Sequence, residues 1–373
     1  MDHPKRSVTA PLRTACFLAL FLCVQTPTRA STAEVSIPGS FLALSQFREF
    51  YEWHHAPAGE RVLSSPVFRS AAPWNELLLS WNAAAPAGGR IEFEVQGVFS
   101  NRNTKFYSLG RWSEQTNVMA RESVKGQKDE DGDVLTDLLR LSVPAEKFRL
   151  NVRMKPGTNG TLPSLFRLGI SLLNTNNPVP VAREPNRKAW GLGLTLPETS
   201  QHAYPGGNVW CSPTSLSMVM RYWADRLKDP SLDQDVPQVV AGVYDPVWHG
   251  TGNWVFNTAH AGRNPKLAAY ALRLRDLRDL EDYIAQDIPV VLSVSLGRLR
   301  GRAPFRDDGH LVVLTGFTPQ GDAWIHDPDS PYPAIPGKSV RRLCTRENLE
   351  RGWTASRRTV YLIQPAGNPP PSL

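Results

Sequence analysis

The stretch Trp210-Cys211-Ser212-Pro213-Thr214-Ser215 decides the reading of this 373-residue chain. It runs into Ser215 to Leu227, where Leu216, Val219, Met220, Trp223 and Leu227 form one apolar stripe, so a helix is expected there. Pro213 suits a first helical turn, which places Cys211 at the N-terminal end, where unpaired N–H groups and the macrodipole favour negative charge. A free thiol ionises near pH 8.5 and attacks only as thiolate, so such a position activates it. Small polar neighbours argue against an inert core cysteine, which more often lies within an apolar run.

Two downstream runs supply the partners that this chemistry needs. Gly309-His310 leads into Leu311-Val312-Val313-Leu314, a buried-strand pattern, and Asp327-Pro328 ends Ala323-Trp324-Ile325-His326. An imidazole at a strand start can take and return a proton, and a carboxylate can fix its tautomer and orientation. Singly, His310 reads equally as a loop histidine and Asp327 as a turn residue before proline. Together with Cys211 they are the parts of a thiol acyl-transfer site, with the backbone N–H of Cys211 and the amide of Gln201 as candidate oxyanion donors.

Working outward, residues 1–30 read as a signal peptide: Lys5, Arg6 and Arg13 precede the apolar run Ala15 to Val24 and then Thr28-Arg29-Ala30. That run is short for a membrane span and no later stretch approaches the required length, so a secreted or periplasmic protein without a transmembrane anchor is expected. Removing the segment takes four Lys/Arg and one Asp and lowers the formal charge from +7 to +4. With no dense basic stripe, nucleic-acid binding gains no support. Two cysteines remain, Cys211 and Cys344, which excludes a disulfide scaffold but leaves one bridge open.

The remaining chain suffices for two domains. Residues 36–174 show period-two alternation in Ile91, Phe93 and Val95, in Phe148, Leu150, Val152 and Met154, and in Phe166, Leu168, Ile170 and Leu172. No long amphipathic helix interrupts them, so an all-β, jelly-roll-like sandwich is expected. Its aromatics Trp53, Trp74, Trp81, Phe106, Tyr107 and Trp112 read as core or as a glycan-binding platform. Asp129-Glu130-Asp131-Gly132-Asp133 lacks the terminal glutamate of an EF-hand loop and reads as a solvated acidic turn. Residues 175–195 form the expected linker, 196–366 an α+β domain, and the Pro-rich 367–373 a disordered tail. His249, His260 and His326 lack metal-ligand spacing, so no metal or other cofactor is expected.

Ser200-Gln201, Trp210 to Ser215, Gly252-Asn253-Trp254 with Phe256-Asn257, Gly309-His310-Leu311 and Asp327-Pro328 together resemble the C39-like peptidases, a family of papain-like cysteine hydrolases. The resemblance covers most of residues 195 to 365. It implies Cys211 as nucleophile, His310 as general base and acid, Asp327 as orienting residue and Gln201 as oxyanion donor. Trp210, Asn253 and Trp254 are candidate substrate-binding residues, although the Gly250 to Asn257 run reads equally as a structural loop. One departure is Ser212, where the family often has glycine; a side chain there would narrow the cleft. The chain lacks the transmembrane helices and phosphate loop of exporter-fused relatives and looks like the secreted, stand-alone branch with an N-terminal β domain. A peptide or amide substrate is the expected partner. The rival is a secreted protein whose β domain contacts glycan or the cell surface and whose second domain is a degenerate scaffold.

Overall fold

The computed structural model describes residues 34–373 apart from 54–55, 58, 179–180, 302–307 and 334–339, so the expected signal peptide lies outside the described residues. The described residues belong to one compact unit. Its first part is strand-rich: β1 (Glu34–Ile37), β2 (Phe41–Leu44), β3 (Tyr51–Glu52), β4 (Arg61–Ser64), β5 (Val67–Ala84), β6 (Arg90–Val98), β7 (Tyr107–Trp112), β8 (Gly132–Leu135), β9 (Leu138–Lys155) and β10 (Ser164–Leu173). These make a ten-stranded, mainly antiparallel sheet ordered β2-β10-β5-β9-β4-β3, with β6 and β8 pairing β9, β7 pairing β6, and β1 parallel to β5. Alternation predicts its inner face well, since Ile91, Phe93, Val95, Phe148, Leu150 and Val152 are all buried. Phe166 departs from the pattern because the β10–β5 register slips between Leu165 and Arg167, and one inserted residue moves a side chain off its face.

The second part mixes helices with a six-stranded antiparallel sheet. Its elements are α1 (Cys211–Leu227), α2 (Val236–Val243), α3 (Trp254–Gly262), β11 (Leu267–Arg273), α4 (Leu277–Ile284), β12 (Val290–Ser295), α5 (Leu296–Leu299), β13 (Gly309–Phe317), β14 (Ala323–His326), β15 (Arg341–Cys344), α6 (Arg346–Thr354) and β16 (Thr359–Pro365). The sheet order is β11-β16-β12-β13-β14-β15. Helix α1 begins at Cys211, four residues ahead of the apolar stripe at Ser215. Strand β11 is fully buried along its length.

The two parts share a core. Phe256 of α3 packs edge-on to Trp81 and tilted against Trp112, and Trp81 stacks on Phe93 with centroids 4.3 Å apart. Gly110, at φ +139°, leaves room for Phe256, whose ring would lie 3.2 Å from a Cβ there. Asn82 of β5 trades two hydrogen bonds with Ala269 of β11. Arg121, 1 % exposed, reaches from the first part to the carbonyls of Ala241 and Tyr244. Trp74, Trp81, Tyr107 and Trp112 are thus core residues, and of the six aromatics weighed as a glycan platform only Trp53 is exposed.

The segment 175–195, expected as a linker, is bound over its described residues. Arg183 bonds Asp276 and Asp279, the Trp190 indole N–H donates to Glu281, and the Leu194 N–H donates to Thr315. The tail, expected to be disordered, returns to the first sheet, where the Leu373 carbonyl accepts from the Ser40 N–H at 2.9 Å. Composition cannot report such tertiary bonds, which is why both segments read as loose. Asp129 in the acidic turn accepts bonds from Tyr107 and Gly132 and pairs with Lys105.

Candidate active site

Cys211 is the first residue of α1, and Trp210 supplies no side-chain cap to the N–H groups of the first turn. Those groups have no preceding helical carbonyl to reach and face the thiol end of the helix. One turn on, the Ser215 hydroxyl donates to the Leu311 carbonyl at 3.2 Å, which fixes α1 against β13 one residue beyond His310. His310, 4 % exposed, sits opposite Val294 of β12 near the start of β13. Its Nε2 lies 2.8 Å from Asp327 Oδ1, and the Cys211 thiol is close enough to act electrostatically on the ring. With Nε2 taken, Nδ1 is the nitrogen left for sulfur. Cys211 is only half-buried.

Asp327 follows β14, whose His326 pairs with Val313 two residues along β13 from Leu311. The carboxylate is 1 % exposed and fully subscribed: Oδ1 meets His310 and the Asp329 N–H, and Oδ2 meets Arg300 at 2.6 Å and Arg342 at 3.6 Å. Burial opposes its charge, yet His310 and Arg300 together hold the carboxyl well below the usual carboxylate range. Burial likewise opposes an imidazolium at His310, but the bond to Asp327 and then the Cys211 thiol outweigh it and push the pKa up to about 9. A thiol, an imidazole that stays protonated and a permanently ionised carboxylate can together store and transfer one proton.

The Ser200-Gln201 motif meets the Asp327-Pro328 motif in space. Ser200 donates to the Ser330 carbonyl at 2.5 Å, the Gln201 N–H to Pro328 at 2.9 Å, and His202 Nε2 lies 2.7 Å from Asp329. Gln201 is buried, with its Nε2 donating one hydrogen to the Asn208 carbonyl three residues before Cys211. Gly207 makes this loop crossing feasible, because a Cβ there would fall 1.8 Å from the Gln201 carbonyl oxygen.

Ser212 does not narrow the cleft as its departure from glycine suggested. Its side chain is 1 % exposed and its hydroxyl lies 2.9 Å from the Tyr361 hydroxyl, under the helix. Asn253, a candidate substrate contact, is 1 % exposed, caps α3 through Phe256 N–H and bonds Asp245. Its amide is occupied by the fold. Trp254 is half-buried against apolar residues of both parts of the chain, with its backbone N–H donating to Asp137 at 2.7 Å. Trp210 is half-buried beside the nucleophile candidate. Cys344 is a free, buried thiol, pushed up to about 12 by burial, and Cys211 is free as well. Sequence reasoning missed Arg300, Arg342, Asp329 and His202; the acid pair Asp327-Pro328-Asp329 was the one local sign that a cation had to stand nearby.

A helix start and two neighbouring strands thus carry Cys211, His310 and Asp327. Residues 194–360 match the Peptidase C39-like family, and residues 58–172 match the Peptidase C39 N-terminal domain. The C39-like resemblance expected from the motifs is therefore shown by both parts of the chain. Among solved structures, the chain is similar to a provisionally assigned C39-like peptidase from Bacillus anthracis, at 15% identity over 49% of this chain and 98% of that one, with a TM-score of 0.31. No curated protein matches. Among the described residues no helix is long and apolar enough to cross a membrane.

Proposed function

We propose that this protein is an exported cysteine-type hydrolase that cleaves peptide or amide bonds through a thioester. The observation that carries the reading is His310 bonded to Asp327 Oδ1 at 2.8 Å while the Ser215–Leu311 bond holds the Cys211 helix against the residue next to it. In this mechanism the Cys211 sulfur, its proton held by His310, attacks the substrate carbonyl carbon. The resulting oxyanion is met by the Cys211 N–H and the second hydrogen of Gln201 Nε2. His310 returns its proton to the leaving amine as the C–N bond breaks, which leaves a thioester on Cys211. Water then gives a proton to His310 and attacks the thioester, and the acid product leaves as the thiol is restored. Asp327 keeps the ring oriented with Nε2–H toward Oδ1 throughout.

The architecture we infer is a jelly-roll-like sandwich followed by a papain-like domain. Support for the first comes from β5, β6, β9 and β10 all contributing to one hydrophobic cluster, and for the second from α1 being held against β13 by the Ser215–Leu311 bond. Export rests on the basic, apolar and Thr28-Arg29-Ala30 succession of residues 1–30. The test is a fluorogenic peptide library with wild type and Cys211→Ala. Turnover by wild type with none in the variant, at equal melting temperature, supports the reading. Turnover surviving in Cys211→Ala would remove Cys211 as nucleophile.

A further inference from the structure

Strand β5 loses register with β9 between Arg69 and Trp74, where Pro73 has no N–H for the ladder. A cavity of about 590 Å³ opens there, and none of Cys211, His310 or Gln201 is in its wall. Its lining is apolar at Trp74, Leu172 and Leu274 and basic at Arg273, Arg275, Arg357 and Arg358, of which Arg275 is paired with Asp279. Arg273 is 6 % exposed. Its Nη2 donates to Glu76 at 2.6 Å, whereas Nε and Nη1 have no partner among the described residues, and neither has Trp74 Nε1. Each of these orphaned atoms is a donor, and buried donors without acceptors are rare in folded proteins.

Charge points the same way. Glu76, fully buried, is the shared counter-ion of Arg140, Arg273 and Arg357. Arg358 is taken by Glu350, and Asp137, the other carboxylate acting on Arg273, already accepts the Trp254 N–H. Arg273 and Arg357 line the cavity and share with Arg140, which lies outside its wall, the single carboxylate of Glu76, so positive charge is in surplus beside a cavity of small-molecule size. We propose that this cavity binds an amphipathic organic anion, its carboxylate or phosphate head on Arg273 and Arg357 and its apolar body against Trp74, Leu172 and Leu274. The site stands apart from Cys211 and does not depend on the proposed hydrolysis.

The test is calorimetric titration of the purified protein with octanoate, octyl phosphate and octanamide. Expected is one-to-one binding of at least one of the two anions, about tenfold or more tighter than octanamide, with the tighter head distinguishing a carboxylate source from a phosphate source. Arg357→Gln leaves Arg140 and Arg273 on Glu76 and should weaken anion binding about tenfold. Ala72→Trp, at an exposed position on the cavity wall, should block binding without touching a charge, and it keeps the test decisive if Arg357→Gln fails to fold. No binding of either anion, equal affinity for octanamide, or unchanged affinity in the folded variants would overturn the proposal.

Discussion

Arg300 donates to Asp327 on Oδ2, the carboxylate oxygen that His310 does not use, and the same Nη2 lies 2.9 Å from Asp329. One guanidinium therefore ties the His310 partner to the turn that also holds His202. Arg300→Gln should lower kcat/KM on the order of tenfold while leaving the fold in place. It should also move the alkaline limb of the pH profile upward, because an Asp327 stripped of its cation stabilises the imidazolium more. A profile that keeps its limb while activity falls would assign Arg300 to structure alone.

The His310 shift sets a pH window for stability. Folded near 9 against an ordinary 6.5, the imidazolium contributes fully below about pH 6.5 and loses its contribution as pH climbs through about 9. Asp327, depressed in the fold, contributes above about pH 4 and loses it as pH falls into the acid range. The melting-temperature difference between wild type and His310→Gln should be widest between those two limits and vanish above about pH 9. A difference that grows with alkalinity would contradict the sign.

Gly207→Ala tests the Gln201 loop without touching the thiol. Its Cβ would collide with the Gln201 carbonyl, so the loop must shift and carry the amide with it. The expected outcome is a fall in kcat of ten- to a hundredfold with the iodoacetamide alkylation rate of Cys211 unchanged. Equal losses in both would mean that Gly207 supports α1 rather than Gln201.

Asp137 is buried, and burial pushes its carboxyl up to about 7 despite bonds from the Trp254 and Val255 N–H groups. A carboxyl whose folded value lies above its unfolded 3.8 contributes stability at low pH that disappears as pH rises through about 7. Chemical denaturation of wild type should therefore lose ground to Asp137→Asn between about pH 4 and 7. Parallel pH dependences in the two proteins would show that Asp137 stays ionised throughout.

The parts of the site written in local sequence were legible: Cys211 by its small polar neighbours before an apolar stripe, and His310 by its place ahead of Leu311 to Leu314. The strands of the first sheet were legible wherever alternation was unbroken, and failed at Phe166, where a bulge intervenes. Arg300 could not be read, because an arginine selects its carboxylate through the fold and not through spacing. Nor could the role of α3, since Val255, Phe256 and Ala259 show only that one face is apolar, not that its socket lies near Trp81 and Trp112, more than 140 residues earlier.

That socket makes the two family-matched regions inseparable in practice. A fragment ending before α3 would present the ring faces of Trp81 and Trp112 to water, and one starting after β10 would carry Phe256 as an uncovered plug. Truncation would thus yield sticky halves, and heating should melt residues 34–373 in a single cooperative step. Assigning a task to either half calls for point substitutions within the whole chain.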